Sequence, residues 1–213
     1  MRSNFLAGLA GTRLYPLTDR ALSGLSHAEQ VSLLSEAGAT LVQLREKILT
    51  PLEFYREAEA ALRVARDRGT KIIVNDRVDV ALALKADGVH LGQDDLPVEA
   101  ARRILGANAI IGLSTHNPEQ ARLAATMPVD YVAIGPIFAT TTKQTSDPPI
   151  GLEGLRLARL AIGTIPLVAI GGITYENSHE VLSGGADAIA IIRDIWTSAG
   201  QTAIHLDHLL RRL

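Results

Sequence analysis

Eight short apolar runs, each followed by a longer amphipathic stretch, constrain the fold of this chain more than any other feature. The runs are rich in Val, Ile and Leu, as buried parallel strands are. They lie near residues 14–18, 41–44, 71–75, 89–91, 110–114, 131–135, 167–171 and 188–192. Between them the pattern is helical: over residues 51–67 apolar side chains such as Tyr55, Ala58 and Leu62 recur at three- and four-residue spacing.

Alternating strands and helices predict an α/β fold with a parallel sheet, and eight units are the number in a (β/α)8 TIM barrel. The length of 213 residues allows about 27 residues per unit, at the compact end of that fold. We therefore expect one TIM-barrel domain over residues 1–213, with its active site at the C-terminal ends of the strands. A doubly wound open sheet is the alternative, but eight units are many for this length and no Gly-x-Gly-x-x-Gly follows the first strand.

A weak internal repeat also favours a barrel. Small or acidic residues directly precede four of the predicted strands, within residues 38–42, 86–90, 129–133 and 185–189. The spacing of roughly 45–55 residues selects every second strand, which fits a barrel built by duplication.

Composition excludes several classes of function. The chain has no cysteine, which excludes disulfides, thiolate zinc sites and a cysteine nucleophile and fits a reducing, cytoplasmic location. Its formal charge of −2 argues against a nucleic-acid surface. No apolar run approaches the roughly 20 residues that span a bilayer. We expect neither nucleic acid nor membrane as a partner; self-association into a homo-oligomer is left open.

Polar residues or glycines follow successive predicted strands. Singly, such residues are more often solvated charges, turn residues or helix caps. Because the carboxyl ends of parallel strands meet at one rim, however, their shared position favours a single site. Because side chains alternate between the two faces of a strand, we expect Gln43, Arg45 and Lys47 to face one way and Leu44 to face the helices.

The residue types at this rim suggest a chemistry. Asp76 and Asp95 offer the hard oxygen ligands that Mg²⁺ prefers. The cations Arg45, Lys47 and Lys143 suit an anion such as a diphosphate. A second, monophosphate site is expected where residues 171–173 and 192–193 precede helices. Two phosphorylated ligands imply a transferase that joins them, and the long loop at 138–150 is expected to close over the site.

Seven motifs, in this order, resemble those of the bacterial thiamine phosphate synthase (thiamine-phosphate pyrophosphorylase) family, and with their flanks they extend over about residues 14–195. They are Gln-Leu-Arg-Glu-Lys at 43–47, Asn-Asp-Arg-Val-Asp at 75–79, Gly-Val-His-Leu-Gly-Gln-Asp-Asp-Leu-Pro at 88–97, Ser-Thr-His at 114–116, Asp-Tyr at 130–131 with Gly-Pro-Ile-Phe at 135–138, Thr-Thr-Thr-Lys at 140–143 and Ala-Ile-Gly-Gly-Ile at 169–173.

The resemblance implies a reaction. With Mg²⁺ as cofactor, the hydroxymethylpyrimidine group of 4-amino-2-methyl-5-(diphosphooxymethyl)pyrimidine passes to 4-methyl-5-(2-phosphooxyethyl)thiazole. The products are thiamine phosphate and diphosphate. The family mechanism is dissociative: diphosphate leaves first, and the aminopyrimidine stabilises the resulting cation. The implied partners are therefore two small-molecule substrates.

The resemblance also implies residue roles. Asp76 and Asp95 bind the metal, and Arg45, Lys47 and Lys143 act in catalysis. The pyrimidine diphosphate is bound by Gln43, Arg45, Lys47, Asn75, Ser114 and Lys143. The thiazole phosphate is bound by Thr140, Thr142, Gly172 and the backbone at Ile192 and Arg193. Leu44, Glu46 and Thr141, which belong to the same motifs, are further substrate-binding residues. The chain departs from the family at Arg193, where Ser is common, and at Ala188, where Gly is common; our hypothesis is that Arg193 adds a cation to the phosphate.

Two other functions compete with the synthase. One is a thiazole tautomerase-like isomerase on the same barrel, and the other is a non-catalytic barrel that binds a phosphate ligand. The isomerase would not need the complete set of diphosphate-binding residues, so the presence of that set favours the synthase. Release of diphosphate from the two substrates distinguishes the synthase from the binding barrel.

Overall fold

The computed structural model describes residues 4–140 and 147–196, and its eight strands form one parallel sheet. The strands are β1 (Leu14–Pro16), β2 (Leu41–Leu44), β3 (Lys71–Asn75), β4 (Gly88–Leu91), β5 (Ile110–Thr115), β6 (Tyr131–Ile134), β7 (Leu167–Ile170) and β8 (Ala188–Ile191). Their order is β1-β8-β7-β6-β5-β4-β3-β2, without the reversal of a doubly wound sheet. An isolated pairing of Leu17 with Gln43 connects the two edge strands. The predicted TIM barrel is confirmed.

Helices connect successive strands on the outside of the barrel, and short helices also precede β1 and follow β8. They are α1 (Asn4–Gly8), α2 (Arg20–Ser23), α3 (His27–Glu36), α4 (Pro51–Arg68), α5 (Val78–Leu84), α6 (Val98–Leu105), α7 (Pro118–Ala124), α8 (Gly151–Ile162), α9 (Tyr175–Ser183) and α10 (Arg193–Trp196). The helix predicted over 51–67 is α4, which begins with a capping box between Thr50 and Glu53. Within the described ranges, no helix is both long and apolar enough to cross a membrane.

Apolar side chains form two layers, one on each side of the strands. Val42 and Leu44 belong to the outer layer, between strands and helices. The interior layer holds Tyr15 and Tyr131, and it also holds Phe5, which lies in α1 and is fully buried. The Phe5 ring stacks on the Tyr131 ring with their centroids 4.0 Å apart. Side chains from α1 thus fill the barrel interior, which is a packed core and not a channel.

The internal repeat has a structural basis. Asp87, Asp130 and Asp187 each precede a strand, and each accepts a backbone N–H from the strand before it, at 2.8, 2.9 and 2.8 Å respectively. Thr40 occupies the matching position in the other repeat, and its buried hydroxyl has no hydrogen-bond partner among the described residues. The three aspartates therefore join neighbouring strands where the strands begin, away from the rim that carries the polar residues.

Replacing Asp130 tests this role. The Asp130 carboxylate accepts from the Ile111 N–H at 2.9 Å and from Arg102 Nη2 at 2.6 Å. Asp130→Ala leaves both donors without this acceptor, so we expect it to lower the free energy of unfolding by about 1–3 kcal/mol, measured by urea denaturation. Glu119→Ala, which removes a solvent-exposed ion pair with Arg122, is the control and should lower it much less. Equal losses in the two variants would contradict the assignment.

Candidate active site

A cavity of about 940 Å³ opens at the carboxyl ends of the strands. Most of the site residues that the sequence predicts line this one cavity. They are Gln43, Arg45, Lys47, Asn75, Asp76, Asp95, Ser114, Thr140, Gly172, Ile192 and Arg193. The structure therefore brings residues from seven strand ends to a single mouth, as the parallel sheet requires.

Five predicted site residues are not among those that line the cavity. Leu44 packs in the outer apolar layer, against the helices. The side chain of Glu46 is only 7% exposed and contacts His27 and the backbone N–H groups of the residues that follow it. Thr141, Thr142 and Lys143 lie outside the described residues.

Two carboxylates lie next to each other at the mouth. Asp76 directly follows β3 and has a left-handed backbone, with φ of 62°, a conformation that Asp tolerates better than most residues. Asp95 accepts the Gly92 N–H at 2.6 Å. Burial raises the pKa of Asp95, and the negative charge of Asp76 raises it further, while the Gly92 N–H opposes both. Asp76 and Asp95 are thus close enough for the charge of one to act on the other.

This acidic pair fits a magnesium ion. Mg²⁺ uses one or two protein carboxylates and completes its shell with water and substrate phosphates. The described residues contain no cluster of three or more His, Cys, Asp or Glu side chains that could form an all-protein metal cage. A divalent cation bound by Asp76 and Asp95 would also relieve the repulsion between them.

Two cations of this rim, Arg45 and Lys47, are each paired with a carboxylate. Arg45 Nη1 donates to Asp19 Oδ2 at 2.5 Å, and Asp19 in turn caps α2 by accepting the Leu22 N–H at 3.1 Å. Lys47 Nζ donates to Asp76 Oδ2, also at 2.5 Å. Arg45 and Lys47 therefore lie on the same side of the mouth as the acidic pair, and each is held by a carboxylate.

On the opposite side of the mouth, the backbone at residue 172 requires glycine. Gly172 has a φ of +66°, and a Cβ there would lie 2.6 Å from the carbonyl oxygen of Ala139. Only glycine lets the segment after β7 approach the segment after β6 so closely. The Tyr175 N–H donates to Asp194 Oδ2 at 3.0 Å, which joins the connection after β7 to the one after β8.

Comparison with known proteins identifies the family. The family model described as thiamine monophosphate synthase matches residues 14–195. The chain belongs to this family. The thiamine-phosphate synthase of Chloroflexus aurantiacus is 46% identical over 199 residues, which cover 93% of this chain and 91% of that protein. The Clostridium novyi synthase is 47% identical over 184 residues, with coverages of 86% and 90%.

A solved structure agrees with this assignment. Thiamine phosphate pyrophosphorylase from Pyrococcus furiosus matches with a TM-score of 0.86 at 38% identity, covering 98% of this chain and 96% of that one. The resemblance to the thiamine monophosphate synthase family is confirmed, and the chain is a transferase of thiamine biosynthesis.

In this family member a chain of buried hydrogen bonds crosses the floor of the cavity. Gln43 Nε2 donates to the Tyr15 hydroxyl at 3.1 Å, and the Tyr15 and Tyr131 hydroxyls are 3.1 Å apart. Tyr131 lies 2.8 Å from His90 Nδ1, and His90 Nε2 lies 2.8 Å from Ser114 Oγ. The Tyr15 hydroxyl can donate to Tyr131, the Tyr131 hydroxyl to His90 Nδ1, and the His90 Nε2–H to Ser114 Oγ. Each of these groups then has a hydrogen-bond partner, and the Ser114 hydroxyl can donate its own proton to a ligand.

The sequence did not lead us to predict a role for Tyr15 or Tyr131 in the site. Burial raises the pKa of both Tyr15 and Tyr131, so both are neutral hydroxyls at neutral pH. Gly112 makes room for the ring, since a Cβ there would lie 2.1 Å from a Tyr131 ring carbon. A tyrosine in an otherwise apolar strand was the available signal, because a buried phenol hydroxyl requires a partner.

His116 was also missed as a site residue, although its motif was recognised. It lines the cavity together with Asp147. His116 Nδ1 lies 2.7 Å from the Gly135 carbonyl oxygen and 3.7 Å from Asp147 Oδ2. The carbonyl can only accept, so Nδ1 carries a proton and donates it to Gly135.

Proposed function

We propose that this chain transfers the hydroxymethylpyrimidine group from 4-amino-2-methyl-5-(diphosphooxymethyl)pyrimidine to 4-methyl-5-(2-phosphooxyethyl)thiazole, with Mg²⁺ as cofactor. The bond between the pyrimidine methylene carbon and the diphosphate oxygen breaks, and both electrons leave with diphosphate. The thiazole nitrogen lone pair then forms the new carbon–nitrogen bond. Diphosphate departs before the nitrogen attacks, since the electron-rich aminopyrimidine stabilises the methylene cation.

One observation carries the proposal: two cations and two interacting carboxylates converge at one side of one cavity mouth. Lys47 and Asp76 are in direct contact, and the charge of Asp76 acts on Asp95. A charge contact at about 4 Å is worth roughly 4 kcal/mol before desolvation at an effective dielectric constant near 20. Several such contacts supply energy on the scale needed to stabilise a departing diphosphate.

Each group at the mouth then has a role. Mg²⁺ held by Asp76 and Asp95 would neutralise charge on the diphosphate. Arg45, Lys47 and Lys143 bind the diphosphate oxygens. The neighbouring polar groups orient the aminopyrimidine from the cavity floor. These groups are those of Gln43, Asn75 and Ser114.

The other side of the mouth receives the thiazole phosphate. Gly172 and the backbone at residues 192–193 supply N–H groups there, and Thr140 lines the same cavity. Thr142 is a further proposed ligand of the phosphate. The thiazole nitrogen has no proton to lose when it attacks, so the reaction needs no general base. The neutral tyrosines of the floor are consistent with this, because neither can serve as a base.

Turnover tests the proposal. We expect the protein to release diphosphate and form thiamine phosphate from the two substrates with Mg²⁺, and to stop when the metal is chelated. Asp95→Ala and Lys143→Ala should each lower kcat by about 100-fold or more, because each removes a charge that stabilises the leaving group. Glu99→Ala, on an exposed turn of α6 outside the cavity, is the matched control and should keep its activity.

Two results would contradict the proposal. One is that the wild-type protein binds the substrates but releases no diphosphate, as expected of a phosphate-binding barrel or an isomerase. The other is a near-wild-type kcat in both Asp95→Ala and Lys143→Ala.

Arg193 provides a separate test of the thiazole phosphate site. It lines the cavity where α10 begins. If its guanidinium binds the phosphate, Arg193→Ser should raise the KM for the thiazole phosphate about 10-fold and leave the KM for the pyrimidine diphosphate unchanged. Arg156→Ser, on the exposed face of α8, is the control. An unchanged KM for the thiazole phosphate would show that Arg193 is only a surface charge.

A further inference from the structure

Glu46 belongs to the cationic motif at 43–47 but faces away from the cavity. Its side chain is only 7% exposed, and the residue is not among those that line the mouth. Its Oε1 accepts three successive backbone N–H groups, from Lys47 at 2.8 Å, Ile48 at 2.7 Å and Leu49 at 3.3 Å. One carboxylate oxygen therefore fixes the turn that leads from β2 into α4.

Leu49 packs against the outer apolar layer, but the tip of this turn is exposed. Ile48, at its tip, is 78% exposed, and the Lys47 side chain is 48% exposed. A segment with little buried apolar surface depends on polar contacts for its conformation. The Glu46 carboxylate is therefore a principal restraint on the backbone that carries Lys47.

The second carboxylate oxygen is held from the barrel side. Glu46 Oε2 lies 3.3 Å from Nε2 of His27, which is fully buried at the start of α3, and 3.9 Å from Arg20 Nη1. Burial lowers the pKa of His27, although the Glu46 charge opposes the shift, so the ring is neutral at neutral pH. A neutral ring can donate through Nε2 to Glu46 only if Nδ1 is an acceptor.

Thr18 completes the assembly and connects it to Arg45. Thr18 Oγ1 lies 2.7 Å from His27 Nδ1, and the same oxygen accepts the Arg45 N–H at 3.1 Å. With the Thr18 hydroxyl donating to Nδ1, every group is satisfied. The backbone N–H groups of Arg45 and Lys47 are therefore both held by one buried assembly of Thr18, His27 and Glu46.

We infer that Glu46, oriented by His27, is a positioning residue for the transfer reaction. It holds the backbone so that the side chains of Arg45 and Lys47 enter the mouth and Lys47 stays beside Asp76. Glu46 itself does not touch substrate. The inference rests on the proposed diphosphate site, since the two cations are the groups that Glu46 would position.

Steady-state kinetics with both substrates varied test the inference. A loosened turn misplaces the diphosphate-binding cations but leaves the thiazole side intact. Glu46→Ala should therefore raise the KM for the pyrimidine diphosphate about 10-fold and lower kcat, while the KM for the thiazole phosphate changes less than about 2-fold. Glu46→Gln keeps an acceptor oxygen and should recover most of the loss.

Glu53→Ala is the matched control. Glu53 lies in the first turn of α4, at the end of the same connection. Its carboxylate accepts the Thr50 N–H at 2.9 Å, so it caps α4 and holds neither cation. Its loss should lower stability without changing either KM. Should Glu46→Ala not fold, Glu46→Met, which has a similar volume and no acceptor oxygen, takes its place in the comparison.

A double-mutant cycle separates positioning from general stabilisation. Because Glu46 acts through Lys47, Glu46→Ala should raise the KM for the pyrimidine diphosphate by a smaller factor in a Lys47→Ala background than in the wild type. The inference is overturned by equal factors in the two backgrounds. It is also overturned by equal increases in both KM values, or by effects of Glu46→Ala no larger than those of Glu53→Ala.

Binding of inorganic diphosphate with Mg²⁺, measured by calorimetry, gives a readout that does not depend on turnover. Glu46→Ala should weaken this binding about 10-fold, and Glu46→Gln should restore it. An inactive wild-type protein that binds Mg²⁺ and diphosphate would contradict the proposed reaction but not the positioning role. An active wild type with unchanged binding in Glu46→Ala would contradict the positioning role alone.

Discussion

The parallel direction of the eight strands is the constraint on which the site depends. It sends every strand's carboxyl end to one rim, so residues far apart in the chain, such as Arg45, Asp95 and Gly172, line a single cavity. Phe5 and Leu9 are buried in the barrel interior and help to fill it. The opening at the rim is therefore a mouth with a floor, beneath which the hydroxyls of Tyr15 and Tyr131 lie 3.1 Å apart.

Two cations at this mouth each contact a carboxylate. Arg45 contacts Asp19 and Lys47 contacts Asp76, so the cations are already directed by carboxylates before an anion binds. In the proposed reaction, such preorganisation would lower the cost of ordering long side chains when a diphosphate enters. Burial and the charge of Asp76 raise the pKa of Asp95, so a divalent cation held as proposed would favour the ionised form of Asp95.

The fold and most residues of the cavity could be predicted from the sequence. The alternation of side chains along a strand is a local pattern, and parallel strands send their carboxyl ends to one rim. Alternation placed Gln43, Arg45 and Lys47 on one face, and all three line the cavity even though β2 ends at Leu44. The Tyr15–Tyr131 contact was not predictable, because it depends on how β1 and β6 meet across the closed barrel. Glu46 was grouped with its motif, and nothing in the sequence spacing indicates that its carboxylate accepts the backbone N–H groups of residues 47–49.

The central claim is that a divalent cation and a diphosphate bind together at the Asp76–Lys47 side of the mouth. The most direct measurement is a crystal structure with diphosphate and Mn²⁺ in place of Mg²⁺, because Mn²⁺ is located by its anomalous signal. The account predicts an anomalous peak in contact with Asp76 and Asp95 and diphosphate oxygens in contact with Arg45 and Lys47. A metal peak away from both carboxylates, or diphosphate bound away from both cations, would contradict it.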